Sequence, residues 1–228
     1  PGSGIDLMKM GEPGVPDMAT WVARTLKKGQ ALGMDPQVVS VAAAGTFEKA
    51  LEPHGIEVKY VTPNLVSEIW DDRPEMCLEP MVEHPLKYSG ESTADKLKRL
   101  RAAMKDLGVK AHVVSALDQV AWLFNVRSKD VLYTPVVTAY AVITDRSAAL
   151  YVDARKVSKG AARALKGKAV VKAYDAVWDD LKALGKKKLP VLVEPGTTNR
   201  RVFDCLKGSR FQYGMSPITP MKAIKNES

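Results

Sequence analysis

Apolar positions along the chain recur first with a helical period, then with a strand period, and the two alternate throughout. In "PDMATWVARTLKKG" (16–29), Met18, Trp21, Val22 and Leu26 fall on one helical face, and Gly29 marks a stop. "ALGMD" (31–35) is a short apolar strand broken by Pro36. A second helix starts near Ser40 and ends by Pro53 or Gly55, and Ile56 to Val61 alternates as a strand with one buried face. From Asp71 to Pro85 the chain reads "DDRPEMCLEPMVEHP", with three prolines, mixed charges and no periodicity, the pattern of a connection between domains.

The clearest helix follows in "STADKLKRLRAAMKDLG" (92–108). Ser92 caps it with Asp95 at the third helical position, Leu97, Leu100, Met104 and Leu107 form its apolar stripe, and Gly108 ends it. Next come a strand at "AHVVSA" (111–116), a short helix around "LDQVAWLFN" (117–125), a loop, and two paired strands, "VVTAYAVIT" (136–144) and "AALYVD" (148–153). Arg155 to Gly167 is helical and basic, and "AVVKA" (169–173) is a strand. "YDAVWDDLKALG" (174–185) is a helix with Val177, Trp178, Leu181 and Leu184 inward. "LPVLVEP" (189–195) is a strand, "NRRVFDCLKG" (199–208) a helix and "FQYG" (211–214) a strand, while "MKAIKNES" (221–228) opens another helix. This alternation predicts α/β architecture.

One plan occurs twice. A strand runs into Asp35-Pro36, then a helix, a strand and Pro63; later a strand runs into Glu194-Pro195, then a helix, a short strand and Pro217. If the halves are homologous, the second is complete and the first lacks its opening strands, so the chain reads as part of something longer at both ends.

Charge and composition narrow the chemistry. The net charge of +8 is uneven: residues 1–83 carry 7 Lys+Arg against 13 Asp+Glu, and residues 84–228 carry 27 against 13. The lysines fall on helices and in "GKKKLP" (185–190), without interleaved aromatics, so solvated helix faces explain them better than a nucleic-acid surface. No apolar run approaches the length of about 18 residues that a membrane helix needs. Cys77 and Cys205 make no ligand pattern, and so few thiols suit a reducing setting. His54, His84 and His112 are scattered, which predicts ordinary surface or loop histidines and no metal spacing. Nucleophile elbow, P-loop, HExxH and GxGxxG patterns are absent from the sequence. The pairs Asp71-Asp72 and Asp179-Asp180 read as solvent-facing. In "VEPGTTNRR" (193–201) a helix capped by Thr197 or Thr198 outweighs an anion site at the strand-to-helix junction.

The strongest candidate is "ALDQVAWLFNVRSKDVLYTPVV" (116–137), which gathers Trp122, Asn125, Arg127 and Asp130. Val120, Leu123 and Phe124 pack inward, Asn125 ends the helix, and Arg127 opens a polar loop. Arg127 and Asp130 are placed to pair with each other or with a neighbouring domain. The four residues read either as a substrate-rim or interdomain contact, or as an amphipathic helix with its cap and loop.

Four segments taken together, "LMKMG" (7–11), "NLVSEIWDDRPE" (64–75), "ALDQVAWLFNVRSKDV" (116–131) and "SPITPMKAIKNES" (216–228), resemble the three-domain aminopeptidase P family, Xaa-Pro aminopeptidases of the creatinase/prolidase group. The resemblance implies two N-terminal domains of related α/β fold, with mixed sheets flanked by helices. Residues 1–83 would be the later part of the first, incomplete domain, 84–220 the whole second domain, and 221–228 the entry to a metal-binding "pita-bread" domain. It further implies a cytosolic, homodimeric parent enzyme with two divalent metal ions, usually manganese, acting on short proline-containing peptides. None of the family's metal ligands maps onto this chain, which makes the fragment alone inactive. A peptidase-like scaffold without hydrolytic activity is the alternative. Arg127-Ser128-Lys129-Asp130 stands where the family commonly has Arg-Gly-Ser-Asp, and Thr134-Pro135-Val136 where it has Asn-Pro-Val. The loss of glycine puts the loop's shape in question.

Overall fold

The computed structural model describes residues 2–226. In the first half, α1 (Met18–Thr25) begins at Asp17, whose carboxylate accepts the N–H of Thr20 at 2.9 Å. β1 (Ala31–Met34), α2 (Val41–Leu51), β2 (Glu57–Tyr60) and α3 (Leu65–Ile69) follow, with Ser40 capping α2 and Asn64 capping α3. β1 and β2 pair in parallel from Ala31↔Glu57 to Met34↔Tyr60, as a strand–helix–strand unit requires. The core here is small, centred on Val22, Leu51 and Ile56. The inward face of α1 differs from the expected one: Ala19 and Val22 are buried, whereas Met18 and Trp21 are 63% and 46% exposed. α1 packs chiefly on α2, and the narrow row of Ala19, Val22, Ala23 and Leu26 is its covered side.

The second half runs β3 (Val82–Glu83), α4 (Leu86–Ser89), α5 (Thr93–Asp106), β4 (Ala111–Val114), α6 (Leu117–Leu123), β5 (Val126–Arg127), β6 (Tyr140–Thr144), β7 (Ala148–Tyr151), α7 (Lys159–Leu165), β8 (Val170–Lys172), α8 (Ala176–Lys186), β9 (Pro190–Val193), α9 (Arg200–Cys205), β10 (Arg210–Tyr213) and α10 (Ile218–Ala223). Its sheet has six strands in the order β10-β9-β4-β6-β7-β8. β4, β6 and β7 are antiparallel neighbours, while β10, β9 and β4 run parallel, as do β7 and β8. The sheet is therefore mixed, with helices on both faces.

Period-2 alternation sorts the strand residues between two cores. Val114, Ala141, Ile143, Leu150 and Leu192 face α5, α6 and α7, whereas Val113, Val142, Tyr151, Val191 and Val193 face α8 and α9. α5 contributes Leu97, Leu100 and Met104, each buried and each stabilising by roughly 1.5–3 kcal/mol. Its cap forms as expected: Ser92 Oγ accepts the Asp95 N–H at 3.2 Å and donates to Asp95 Oδ2 at 2.6 Å. Leu107 ends outside the core at 44% exposure, because the helix stops at the residue before it.

Several sequence expectations change. The stretch 71–85 is irregular only in its first part, since Met81 is buried in the main core and β3 pairs with β5. His112 is not a surface histidine: it is 1% exposed on β4, between Leu192 O and Ser216 Oγ. Asp180 accepts from Tyr151 at 2.7 Å and from Lys172 at 2.5 Å, so it is partnered. α9 is capped by Asn199 rather than by Thr197 or Thr198. The next two N–H groups, of Arg200 and Arg201, donate to Val39 O and Pro36 O in the first half, which leaves no anion site there. Residues 227–228 of the last motif lie outside the described residues.

Candidate functional site

Phe124 is the C-cap of α6, and Asn125 after it takes the left-handed conformation with φ 51°, a role in which asparagine is the usual substitute for glycine. That turn aims the Asn125 side chain inward, where its amide donates to Glu91 O at 2.8 Å and its oxygen accepts from Lys96 Nζ at 2.6 Å. Asn125 O accepts the His84 N–H at 2.8 Å. The residue is thus a junction that ties α5, α6 and the segment before α4 together.

Lys96 was not singled out by the sequence reading. It is 1% exposed, donates also to Trp122 O at 3.0 Å, and lies 4.1 Å from the centroid of the Trp122 ring. Desolvation is the chief cause that lowers its pKa to about 8, with the charges of Arg127 and Arg99 acting the same way against the pull of Glu91. The signal was present in the sequence: Lys96 stands next to Leu97 and four residues before Leu100, on the apolar side of α5.

Arg127 and Asp130 do not pair. Arg127 donates through Nη1 to Ala121 O and Val126 O, both at 2.9 Å. Asp130 is in a buried ion pair with Lys156, both side chains being 1% exposed, and it accepts also from Ser128 Oγ at 2.6 Å and the Thr138 N–H at 2.7 Å. Burial alone raises the Asp130 carboxyl, but these hydrogen bonds outweigh it and hold the pKa below the ordinary carboxylate value. Ser128 needs no positive φ; apart from glycines, the described residues with positive φ are Asn125, Tyr133 and Lys188. Its hydroxyl instead donates to Glu79 O at 3.0 Å and to Asp130, so the loop is held by side-chain bonds.

The structure therefore separates the four candidates. Trp122 and Arg127 line a cavity of about 530 Å³, with Lys96, His84 and the end of α10 on its other walls. Asn125 braces that cavity from behind, and Asp130 fastens the following loop to Lys156. His84 has a lowered pKa, first from desolvation and then from the charges of Arg127 and Lys96, which marks the cavity as electropositive. Among the described residues, no group of three or more His, Cys, Asp or Glu is placed to hold a metal ion. A two-metal centre thus does not fit the side chains described. No helix among them is long and apolar enough to cross a membrane.

Comparison with known proteins places this architecture. Residues 72–228 match the Creatinase/Prolidase N-terminal domain family. The chain is 34% identical over 231 residues to a probable Xaa-Pro aminopeptidase P of Leptosphaeria maculans, covering 97% of this chain and 38% of that protein. It is 39% identical over 184 residues to aminopeptidase P1 of Lotus japonicus, covering 80% of this chain and 28% of that protein. The crystal structure of X-prolyl aminopeptidase from Caenorhabditis elegans, described as a cytosolic enzyme with a di-nuclear active site, superposes with a TM-score of 0.92 at 27% identity. That match covers 97% of this chain and 37% of the enzyme, so the chain spans well under half the length of these relatives. With its mixed six-stranded sheet and these similarities, the chain belongs to the creatinase/prolidase N-terminal domain family, in kinship with the Xaa-Pro aminopeptidases.

Proposed function

We propose that the chain is the non-catalytic N-terminal region of a metal-dependent Xaa-Pro aminopeptidase, a hydrolase that removes the first residue from peptides with proline second. The observation that carries this reading is the similarity over nearly the whole chain, in sequence and in fold, to proteins named for that activity. In this reading residues 1–83 belong to a first domain, 84–220 form the second, and 221–228 lead toward a catalytic domain with two divalent metal ions, manganese by our assignment. The two N-terminal domains limit access to short peptides and support a cytosolic homodimer. Trp122 and Arg127 lie on the rim of the route to the reacting centre, and Asn125 and Asp130 hold that rim in shape.

The test is an assay of the 228-residue chain with manganese on an Xaa-Pro peptide. No turnover above a metal-only blank is expected; hydrolysis by this chain alone would sink the reading.

A further inference from the structure

The cavity beside Trp122 holds more positive charge than its own carboxylates can neutralise. Glu91 is taken by Arg99 at 2.7 Å, and Asp118 pairs with Lys222. Among the described residues, no carboxylate forms an ion pair with Lys96, Arg127 or Lys225. Buried or half-buried cations are normally paired, so buried Lys96 and half-buried Arg127, converging with the exposed Lys225 on one cavity and lacking an ion-pair partner, form a site with a preference.

Arg127 sets the geometry of that preference. Nη1 is fixed by the carbonyls of Ala121 and Val126, while Nε and Nη2 have no hydrogen-bond partner among the described residues. A guanidinium edge held in this way is preorganised for the two oxygens of a carboxylate, which lowers the ordering cost of binding. Trp122, Tyr88, Met221 and Ile224 supply aromatic and apolar wall around the cations. The volume of about 530 Å³ is that of a small-molecule site and far exceeds a single ion. Burial is the chief cause that lowers the pKa of His84 and of Lys96, and the charge of Arg127 acts in the same direction on both.

We propose that this cavity is a carboxylate-binding site, anchored by Arg127 and flanked by Lys225 and Trp122, for a small molecule or chain end that presents a free carboxylate. The inference does not rest on the peptidase reading, since it concerns binding to this chain and needs no turnover.

The experiment is a two-dimensional NMR titration of the 228-residue chain, following the Trp122 indole N–H and the Arg127 Nε–H. Three probes are used: N-acetyl-Gly-Ala-Ala with a free C-terminus, the same peptide as its C-terminal amide, and an amidated peptide carrying one Glu. Saturable shifts are expected with the free carboxylate, and binding of the uncharged amide is expected to be about ten-fold weaker or less. Binding of the Glu peptide identifies a side-chain carboxylate as an accepted source, and its failure assigns the site to chain termini; either outcome supports the site. Arg127→Lys should weaken binding about ten-fold by removing the fork. Lys225→Gln, at an exposed position, should weaken it several-fold with the fold intact by circular dichroism. Equal affinity for the amide, equal affinity for inorganic phosphate, unchanged binding in both variants, or no shift at millimolar peptide would each overturn the proposal.

Discussion

Ser40 and Asn199 cap different helices and face each other as an antiparallel bridge pair across the join of the two halves. Around them the main-chain bonds are reciprocal. Val41 donates to Thr198 O and Arg200 to Val39 O, both at 2.9 Å; Ala42 donates to Pro195 O at 3.0 Å and Arg201 to Pro36 O at 2.9 Å. The first-turn N–H groups of α2 and α9, which a helix cannot satisfy itself, are each taken up by the loop before the other helix. The sequence repeat around Asp35-Pro36 and Glu194-Pro195 thus becomes an approximate two-fold contact. Arg200 reinforces it, donating to Glu48 at 2.8 Å and Tyr60 at 2.9 Å.

Proline at the first position of a helix is normally tolerated, because its missing N–H has no helical partner. At Val41 that N–H is used across the join. Val41→Pro is therefore expected to destabilise the chain by about 1 kcal/mol, the net worth of one hydrogen bond. A denaturant midpoint unchanged from wild type would show that the join contributes nothing.

Asp130 and Lys156 form a buried ion pair, and removing one partner leaves the other charge stranded. Asp130→Ala or Lys156→Ala should each cost about 3–5 kcal/mol. Asp130→Leu combined with Lys156→Met should recover most of that loss, since a well-packed apolar pair often replaces a buried ion pair at little cost. Chemical denaturation of the three variants distinguishes a buried charge pair from simple packing, which would make the double variant the least stable.

Burial pushes the His112 imidazole down from its ordinary value of 6.5 to about 4. The unfolded chain therefore takes up the proton first on acidification. The contribution of His112 is fully present above pH 6.5 and is lost as pH falls from 6.5 toward 4. Over that interval the loss is on the order of 3 kcal/mol. His84 is shifted in the same direction, so the difference between wild type and His112→Gln carries the test. The variant should show a flatter stability curve over this range; parallel curves would rule His112 out as the titrating group.

Gly185 in α8 lies against the end of α9, where an added Cβ would meet Cys205 O at 2.9 Å and Leu206 Cα at 3.1 Å. These are backbone atoms of a packed helix and cannot turn aside as a side chain could. Gly185→Ala is expected to cost about 1–3 kcal/mol by overpacking, despite alanine's better helix propensity. A raised melting temperature would show that the helices separate freely.

The helices and strands were legible in the sequence because their causes are local. A cap such as Ser92 binds an N–H three residues on, and strand or helix period shows within a few residues. The alternation of β and α elements, the repeated plan and the family motifs rest on patterns of this kind. The candidate site was half legible: Trp122 and Arg127 do reach a cavity, while Asp130 turns away to Lys156. Only the tertiary structure decided the partners, because they are remote in the chain. Lys96 meets Asn125 from 29 residues away, Asp130 meets Lys156 from 26, and His112 meets Ser216 from 104. No short-range pattern encodes such distances. They are set by which faces of the sheet and helices close on one another, and burial then dictates that each polar group find a partner.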